Sequence, residues 1–490
     1  MTIIPKKQWK GNEILQYELT PFRKEMGYQD KRHPDIIERS DDIIEDAKRR
    51  EFTISCLYYF SKDNNSKPLQ KSREYDSDKL KKDLNTHGFV YLRDLSLWII
   101  QDEHIIKGLF PKWKFKAQAF ERLINKQAKL YHENKAHPQS TNIIIDPFKW
   151  IHDLIDGKLK AVWNPDQRFW EDALRLIRAL RFVNVINQKL KDQNISQHSI
   201  DFERETRKSI QKNFSLIQYM AKERIKLELD KVFRKWNPFG FIALLDEVNM
   251  LKYLFPAIYA LKHVDQPVRY HPFDVYHHTL MTVFELQKIN KNPLVRWAML
   301  YHDVGKPDQY YIYRLGLSRE EIQSMHYLNH RNTSGNIADQ ELQSLKFSKK
   351  EREEIVRYID HHHKPEEIIA AKPENREKKL RKLLSEAGIE RMRNLFDVVL
   401  WDRLGHYNPI QAPEIEIIYD LKSLTEKLYS TEGQFTIKDL AVNGEVLMKQ
   451  FKLSPSPQVW ELLQKAFDWT IQDIKNRNTK TKILTFLNSI

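Results

Sequence analysis

The rhythm of apolar and polar positions changes near residue 170. Downstream of it, apolar residues recur at helical spacing, clearly over residues 177–186 and 242–254, and the rest of the chain reads as mostly helix. Upstream, residues 14–22 and 52–60 are β-rich and flank a polar helical segment carrying Asp41, Asp42, Glu45 and Asp46, as in part of an α/β unit. Residues 61–85 are polar with little periodicity and read as a loop. They introduce a stretch to about residue 142 that mixes basic and aromatic side chains. No fixed-period repeat is present.

Composition narrows the class. A chain of 490 residues with 41% hydrophobic content can build several cores, so three or four domains are expected. Lys and Arg total 81 against 67 Asp and Glu, a formal charge of +14 that suits a polyanionic partner, nucleic acid foremost. The single cysteine, Cys56, excludes an intramolecular disulfide and fits a reducing, cytoplasmic setting. No apolar run reaches 18 residues, because 239–264 is interrupted by Asp246, Glu247 and Lys252, so no membrane partner is expected. The opening MTIIPKKQWK lacks the apolar stretch of a signal peptide.

Two groups of residues carry chemistry. The segment FWEDALRLIRALRF, residues 169–182, joins the acids Glu171 and Asp172 to an apolar-periodic helix bearing Arg175, Arg178 and Arg181. Three-residue spacing places these groups on neighbouring turns, where a carboxylate acceptor beside a guanidinium fork can read the edge of a nucleobase or simply form surface ion pairs. The second group is a histidine and aspartate series: His278, His302, Asp303, His330, His361, His362 and Asp402. Imidazole and carboxylate together suit a first-row divalent ion that polarises phosphate and generates hydroxide. His302 and Asp303 follow the apolar run 297–300 and precede Gly305-Lys306-Pro307, the pattern of a helix ending at a site. Lys306 is either a phosphate contact or a solvated helix end.

This series resembles the HD phosphohydrolase superfamily. The resemblance implies that His278, the His302-Asp303 pair and Asp402 are the minimal metal ligands, and that His330 with His361 or His362 serves a second metal. The implied metal is a divalent transition ion (Mn, Ni, Co or Fe) or Mg²⁺.

A wider resemblance is to the bacterial class II tRNA nucleotidyltransferase and poly(A) polymerase family. Residues 49–55, RREFTIS, resemble the family's RRDFTIN strand, placing Arg49 and Arg50 near ribose and phosphate. Ile145-Asp146-Pro147-Phe148 with Asp153-Leu154 resembles its DPFGG…DL segment, and FWEDALRLIRALRF resembles its EDxxR helix. In that helix Asp172 and Arg175 would hydrogen-bond CTP or ATP, with Arg178 and Arg181 supporting the helix or contacting phosphate. Residues 439–444, DLAVNG, resemble a tail motif, and all these segments follow the family's order. Transfer in this family uses carboxylates that hold Mg²⁺, and Glu18 matches one of them.

Departures from the family pattern lie mainly in its first part. No two glycines are adjacent, and the Asp-x-Asp at Asp76-Ser77-Asp78 falls in the polar segment, where it is read as incidental. Glu51 replaces Asp, Ser55 replaces Asn, and Lys149-Trp150 replaces a double glycine. A split or truncated product, a member that has lost transfer and a miscalled start each account for this. The first is the reading adopted, and it implies a complementing N-terminal fragment paired at an open sheet edge.

The expected fold is mainly α: a partial α/β nucleotidyltransferase head of polymerase-β type with its first strands missing, then an all-α neck, an HD domain and a helical tail. The boundaries are 1–60 and 143–165 for the head, 61–142 for a basic insertion or linker, 166–265 for the neck, 266–410 for the HD domain and 411–490 for the tail. The expected function is addition of CMP or AMP to the 3′ end of tRNA or another RNA. HD phosphohydrolysis of RNA 3′ ends or nucleotides, and non-catalytic tRNA binding, are the alternatives.

Overall fold

The computed structural model describes residues 2–3, 17–18, 23–26, 36–39, 47–53, 58–60, 89–92, 97–100, 142–145, 148, 153, 156–192, 199–266, 273–308, 330–405 and 412–490. Side chains are described for 37–38, 47–53, 148, 153, 156–192, 199–266, 273–308, 332–405 and 414–490. The architecture is mainly α. It divides into two compact units, residues 1–228 with 247–250, and residues 229–246 with 251–490.

In the first unit, β1 (Thr2–Ile3) pairs antiparallel with β2 (Tyr17–Glu18), and β3 (Arg23–Met26) with β4 (Ile36–Arg39). A four-stranded sheet follows, built from β5 (Tyr58–Phe60), β6 (Phe89–Leu92), β7 (Leu97–Ile100) and β8 (Asn142–Ile145) in the order β5-β8-β7-β6. β7 and β8 run parallel, with Trp98 opposite Ile143, while β5–β8 and β6–β7 are antiparallel. The expected linker over 61–142 is corrected here, because it contributes β6 and β7 to the sheet that also holds β5 and β8. The polar helical segment expected around 41–46 lies outside the described residues.

β9 (Lys158–Leu159) pairs parallel with β10 (Asp201–Phe202). Gly157, just before β9, has φ 65°, and a Cβ there would lie 2.5 Å from the Ser199 carbonyl oxygen. Only glycine meets both demands. Helix α1 (Pro165–Glu171) starts with Asn164 accepting the Gln167 N–H and proline at its first position. Helix α2 (Leu174–Asp192) buries Leu176, Ile177, Leu180 and Val183. Phe52 packs against Phe169 and edge-on against Phe182, which joins the 51–53 segment to both helices. Helix α3 (Arg204–Asn213) and a short 3-10 helix (Phe214–Tyr219) lead into α4 (Lys222–Lys235), within which the two units divide. The helical pattern over 242–254 is realised as α5 (Pro238–Glu247) and α6 (Leu251–Leu254), separated at Asn249, whose φ of 61° suits an asparagine.

The second unit continues with α7 (Pro256–Tyr259), α8 (Val275–Ile289), α9 (Pro293–Tyr301), α10 (His330–Ser344) and α11 (Lys349–His361). α12 (Lys364–Ile369), α13 (Pro373–Ala387), α14 (Ile389–Gly405) and α15 (Ala412–Glu432) come next. α8 packs along α14, and Gly405 makes the approach feasible, since a Cβ there would lie 2.4 Å from Thr282 Cγ2. Trp297 on α9 stacks on Phe233 at 3.5 Å between ring centroids. The buried Arg296 guanidinium donates to the carbonyls of Asn290, Phe233 and Gln287, fixing the start of α9. Helices α16 (Gly444–Phe451), α17 (Pro457–Thr470), α18 (Ile474–Arg477) and α19 (Lys480–Asn488) gather around Leu447, Ala466, Ile471 and Ile483.

Candidate functional sites

The first site forms where α9 ends. His302 caps α9, Asp303 follows it, His278 comes from α8 and Asp402 from α14. His278, His302 and Asp303 are each 2% exposed or less, so burial in the packed helices positions them. His302 Nδ1 is 2.7 Å from the Met299 carbonyl, which favours a proton on Nδ1 and turns Nε2 inward. That Nε2 lies 3.2 Å from Asp303 Oδ2 and 3.4 Å from Asp402 Oδ1. His278 Nε2 lies 2.9 Å from Asp402 Oδ1 and 3.7 Å from Asp303 Oδ2.

Burial by itself would lower the His302 pKa. The neighbouring Asp303 and Asp402 carboxylates outweigh it and raise the group to about 10. The cluster therefore has a negative potential that favours a cation. Two imidazoles and two carboxylates converging on one point suit a first-row divalent ion better than Ca²⁺, which takes a shell of six to eight oxygens.

His362 belongs beside this centre. It caps the end of α11, its Nδ1 bonds the Ile359 carbonyl, and its ring lies 5.8 Å from that of His302. His361 is held down to about 4, first by burial and then by Lys364 and other nearby charges. His330 begins α10, but its side chain lies outside the described residues.

Lys306 requires a correction. It is not a solvated helix end, because its buried ammonium sits 2.7 Å from Asp303 Oδ2 and 2.8 Å from Gln266 Oε1. It offsets the Asp303 carboxylate from inside the cluster. Gln266 carries no sequence signal that could have linked it to this site.

The second site lies in the first unit, where the single helix expected over 169–182 is broken. α1 ends at Glu171, and Asp172 is extended (φ −149°, ψ 100°) before α2 begins at Leu174. The physical reason is local. Asp172 Oδ1 accepts the Leu174 N–H at 3.1 Å, an aspartate serving as the cap that opens a new helix.

The acids take separate partners. Glu171 is buried and binds Arg168 and Arg175, both at 2.8 Å. Arg175 also donates to the Arg168 carbonyl at 2.8 Å. Asp172 is held by Arg224 of α4, Nη2 to Oδ2 at 2.7 Å and Nη1 to Oδ1 at 3.2 Å. Asp172 and Arg175 are thus neighbours through the backbone, Arg175 N–H to Asp172 O at 3.0 Å, while their side chains bind other groups.

Arg178 and Arg181 each pair with a carboxylate of the same unit. Arg178 Nη2 lies 2.5 Å from Glu51 Oε1, and Arg181 Nε lies 2.6 Å from Glu228 Oε2 with its guanidinium over the Phe182 ring. Burial raises the Glu51 pKa, an effect that Arg178 and Arg175 counter. Residues 51–53 pair with 160–162, Thr53 N–H to Lys160 O and Val162 N–H to Glu51 O, and Thr53 Oγ1 donates to Asp153. The RREFTIS segment, the Asp153 segment and the start of α2 therefore meet, with Arg49 and Arg50 half-buried at one end. Glu18 lies in β2, but its side chain is outside the described residues, as are Asp76 and Asp78 altogether.

Comparison with known proteins follows the same order along the chain. Residues 3–85 match the family described as poly A polymerase head domain, residues 200–261 the one described as "Probable RNA and SrmB- binding site of polymerase A", and residues 275–403 the HD domain. The multifunctional CCA protein of Mannheimia succiniciproducens is 28% identical over 309 residues, covering 61% of this chain and 67% of the relative. That of Actinobacillus pleuropneumoniae is 31% identical over 193 residues, covering 38% of this chain and 41% of the relative, so the match spans well under half of that protein. The crystal structure of the Bacillus stearothermophilus CCA-adding enzyme in complex with CTP aligns over 100% of this chain and 80% of its own, with a TM-score of 0.56 and 16% identity, a likeness of fold. With head, RNA-binding and HD segments matched in that order along one chain, the protein carries an HD domain and is similar in its domain series to the bacterial class II tRNA nucleotidyltransferase and poly(A) polymerase family.

Proposed function

We propose that this chain adds CMP and AMP, from CTP and ATP, to the 3′ end of tRNA. The observation that carries the proposal is the junction of residues 51–53, Asp153 and the α1–α2 break, which brings the segments resembling the head and the base-reading helix into one packed unit. Asp172 supplies a fixed acceptor for the exocyclic amine of cytosine or adenine, and Arg175 holds the break in shape through Glu171 and the Arg168 carbonyl. Arg49 and Arg50 lie at the end of the junction where ribose and phosphates would approach. Lys and Arg excess draws the polyanion in.

Glu18 would hold Mg²⁺, which when bound activates the RNA 3′ hydroxyl and neutralises the triphosphate. Two-metal transfer demands further carboxylates. These 490 residues contain no Asp-x-Asp outside the polar segment, so the proposal assigns them to sequence beyond this stretch or to a complementing polypeptide. The RNA substrate and the single Cys56 fit a cytoplasmic setting, and among the described residues no helix is long and apolar enough to cross a membrane.

The buried cluster of His278, His302 and Asp303, with half-buried Asp402 beside it, favours a second activity on the same chain, hydrolysis of a phosphoester. These four residues would hold Mn, Ni, Co, Fe or Mg as a divalent ion, with His362 and His330 available to a second. Incubating the chain with Mg²⁺, labelled CTP or ATP and tRNA lacking its 3′ CCA tests the first activity. Hydrolysis of bis(p-nitrophenyl) phosphate with added Mn²⁺ or Ni²⁺ tests the second. The proposal expects label incorporation once an added head fragment supplies the missing carboxylates, and expects it to survive loss of the HD ligands. Incorporation that ignores substitution of Asp172 would refute it.

A further inference from the structure

Trp163 holds a backbone conformation that its side chain makes costly. It lies between β9 and α1 with φ 64°, in the left-handed region that bulky residues rarely enter. Among the other described non-glycine residues at positive φ, Asn249, Lys346 and Lys452 follow the ends of α5, α10 and α16, where such a residue commonly closes a helix. Trp163 instead precedes one. Both of its neighbours are pinned. The Val162 N–H donates to the Glu51 carbonyl at 3.2 Å, and Asn164 caps α1, its side chain accepting the Gln167 N–H at 3.2 Å. The turn is therefore imposed from either side, and glycine or asparagine would meet it at lower cost. The indole that stands there gains little from burial, because the residue is 62% exposed.

We propose that Trp163 is a stacking platform for an unpaired base at the 3′ end of the RNA substrate. The Lys48 ammonium lies over the ring, 5.7 Å from its centroid, and Arg168 Nη1 of α1 donates to the Lys48 carbonyl at 3.4 Å. Cation and ring are thus held at the same helix start, and Arg49 and Arg50 follow Lys48 directly. An aromatic face beside a basic run grips single-stranded nucleic acid in two ways, the ring taking a base and the cations the phosphates. The seven residues of α1 separate Trp163 from Asp172 by about 10 Å, so a base over the indole belongs to a different nucleotide from one read at Asp172. It lies on the side of Arg49 and Arg50, where the RNA 3′ hydroxyl must approach the phosphates. The proposal rests on the reading of this junction as the transfer site. Stacking tolerates every base, so Trp163 holds the RNA end without choosing CTP over ATP.

The test titrates the full chain at fixed salt with tRNA that lacks its 3′ CCA and carries 2-aminopurine as its last base, and separately with CTP and Mg²⁺. Thermal melting accompanies each variant. Binding to the native chain should quench the 2-aminopurine fluorescence. Trp163→Gly removes the ring and suits the backbone, so melting should hold or rise while RNA affinity falls about tenfold and the quenching is lost. Trp163→Phe should keep most of both, and CTP affinity should not change in either variant. Unchanged RNA affinity and quenching in Trp163→Gly overturn the proposal. A fall in CTP affinity with RNA affinity unchanged also overturns it, moving the stacked base to the incoming nucleotide. A native chain that does not bind this tRNA overturns both the platform and the transfer reading. Quenching that depends on Trp163, without label incorporation when a head fragment is added, counts against transfer alone and leaves the platform supported.

Discussion

The HD centre and the α1–α2 break use the same ionic side chains to opposite ends. In the HD centre two imidazoles and two carboxylates converge, with Lys306 the basic side chain held against Asp303, so the donor atoms of several residues face one another in the way that suits a metal ion. At the α1–α2 break every acid is matched by an arginine: Glu171 by Arg168 and Arg175, Asp172 by Arg224, Glu51 by Arg178 and Glu228 by Arg181. The first arrangement suits a metal ion. The second fixes the direction of single groups, which the proposed reading of a base edge would require.

The contrast is sharpened by substitution. The largest effect is expected from Asp172→Asn, which keeps shape but turns an acceptor into a donor. Incorporation of CTP should fall by about a hundredfold or more, with the HD activity unchanged in a phosphoester assay. If both activities fell together, the two sites would not be separable.

Asp303→Ala should act on stability as well as on metal uptake. It removes a ligand and strands the buried Lys306 ammonium, a loss of about 3 kcal/mol or more, read by denaturant unfolding. Metal content by mass spectrometry should fall at the same time. His302→Ala should lower metal content as well.

Glu341 gives a pH test away from both sites. It accepts from Tyr301 at 2.7 Å and from the Ala257 N–H at 2.9 Å, and burial, outweighing those bonds, raises it to about 7. A carboxyl raised on folding binds its proton more tightly in the folded state. Its stabilising contribution is therefore complete below its ordinary pKa of 4.5 and is lost as pH rises through about 7. Between those values stability should fall by up to about 3 kcal/mol, and Glu341→Gln should flatten that part of the profile in melts of the full chain. The smallest effect is expected from Lys212→Ala, which removes an exposed pair with Asp166 and should change stability by less than about 1 kcal/mol.

Much of the HD centre was legible in the sequence. His278, the His302-Asp303 pair and Asp402 stand beside long apolar runs, and such runs become the buried helices that bring them together. The break at Asp172 was not legible, because the apolar period continues through it and only the bond to Leu174 shows where a new helix starts. Arg224 was hidden for another reason, since nothing local ties it to a residue 52 positions earlier. The placement of Lys306 depended on Gln266, forty positions away in sequence. Strands β6 and β7 did carry a signal. FVYL and LWII are apolar runs of strand length separated by four residues, a hairpin pattern masked by the basic and aromatic mixture around them. The order of head, RNA-binding and HD segments was readable because it rests on several motifs in series.

The most direct test of the account is incorporation of labelled CTP into tRNA lacking its 3′ CCA by the native chain, Asp172→Asn and a His302→Ala/Asp303→Ala double variant, each assayed with and without an added head fragment. With the head fragment present, the account predicts label from the native chain and from the HD double variant, and loss of label from Asp172→Asn. Label that persists in Asp172→Asn, or that disappears only with the HD ligands, would contradict it.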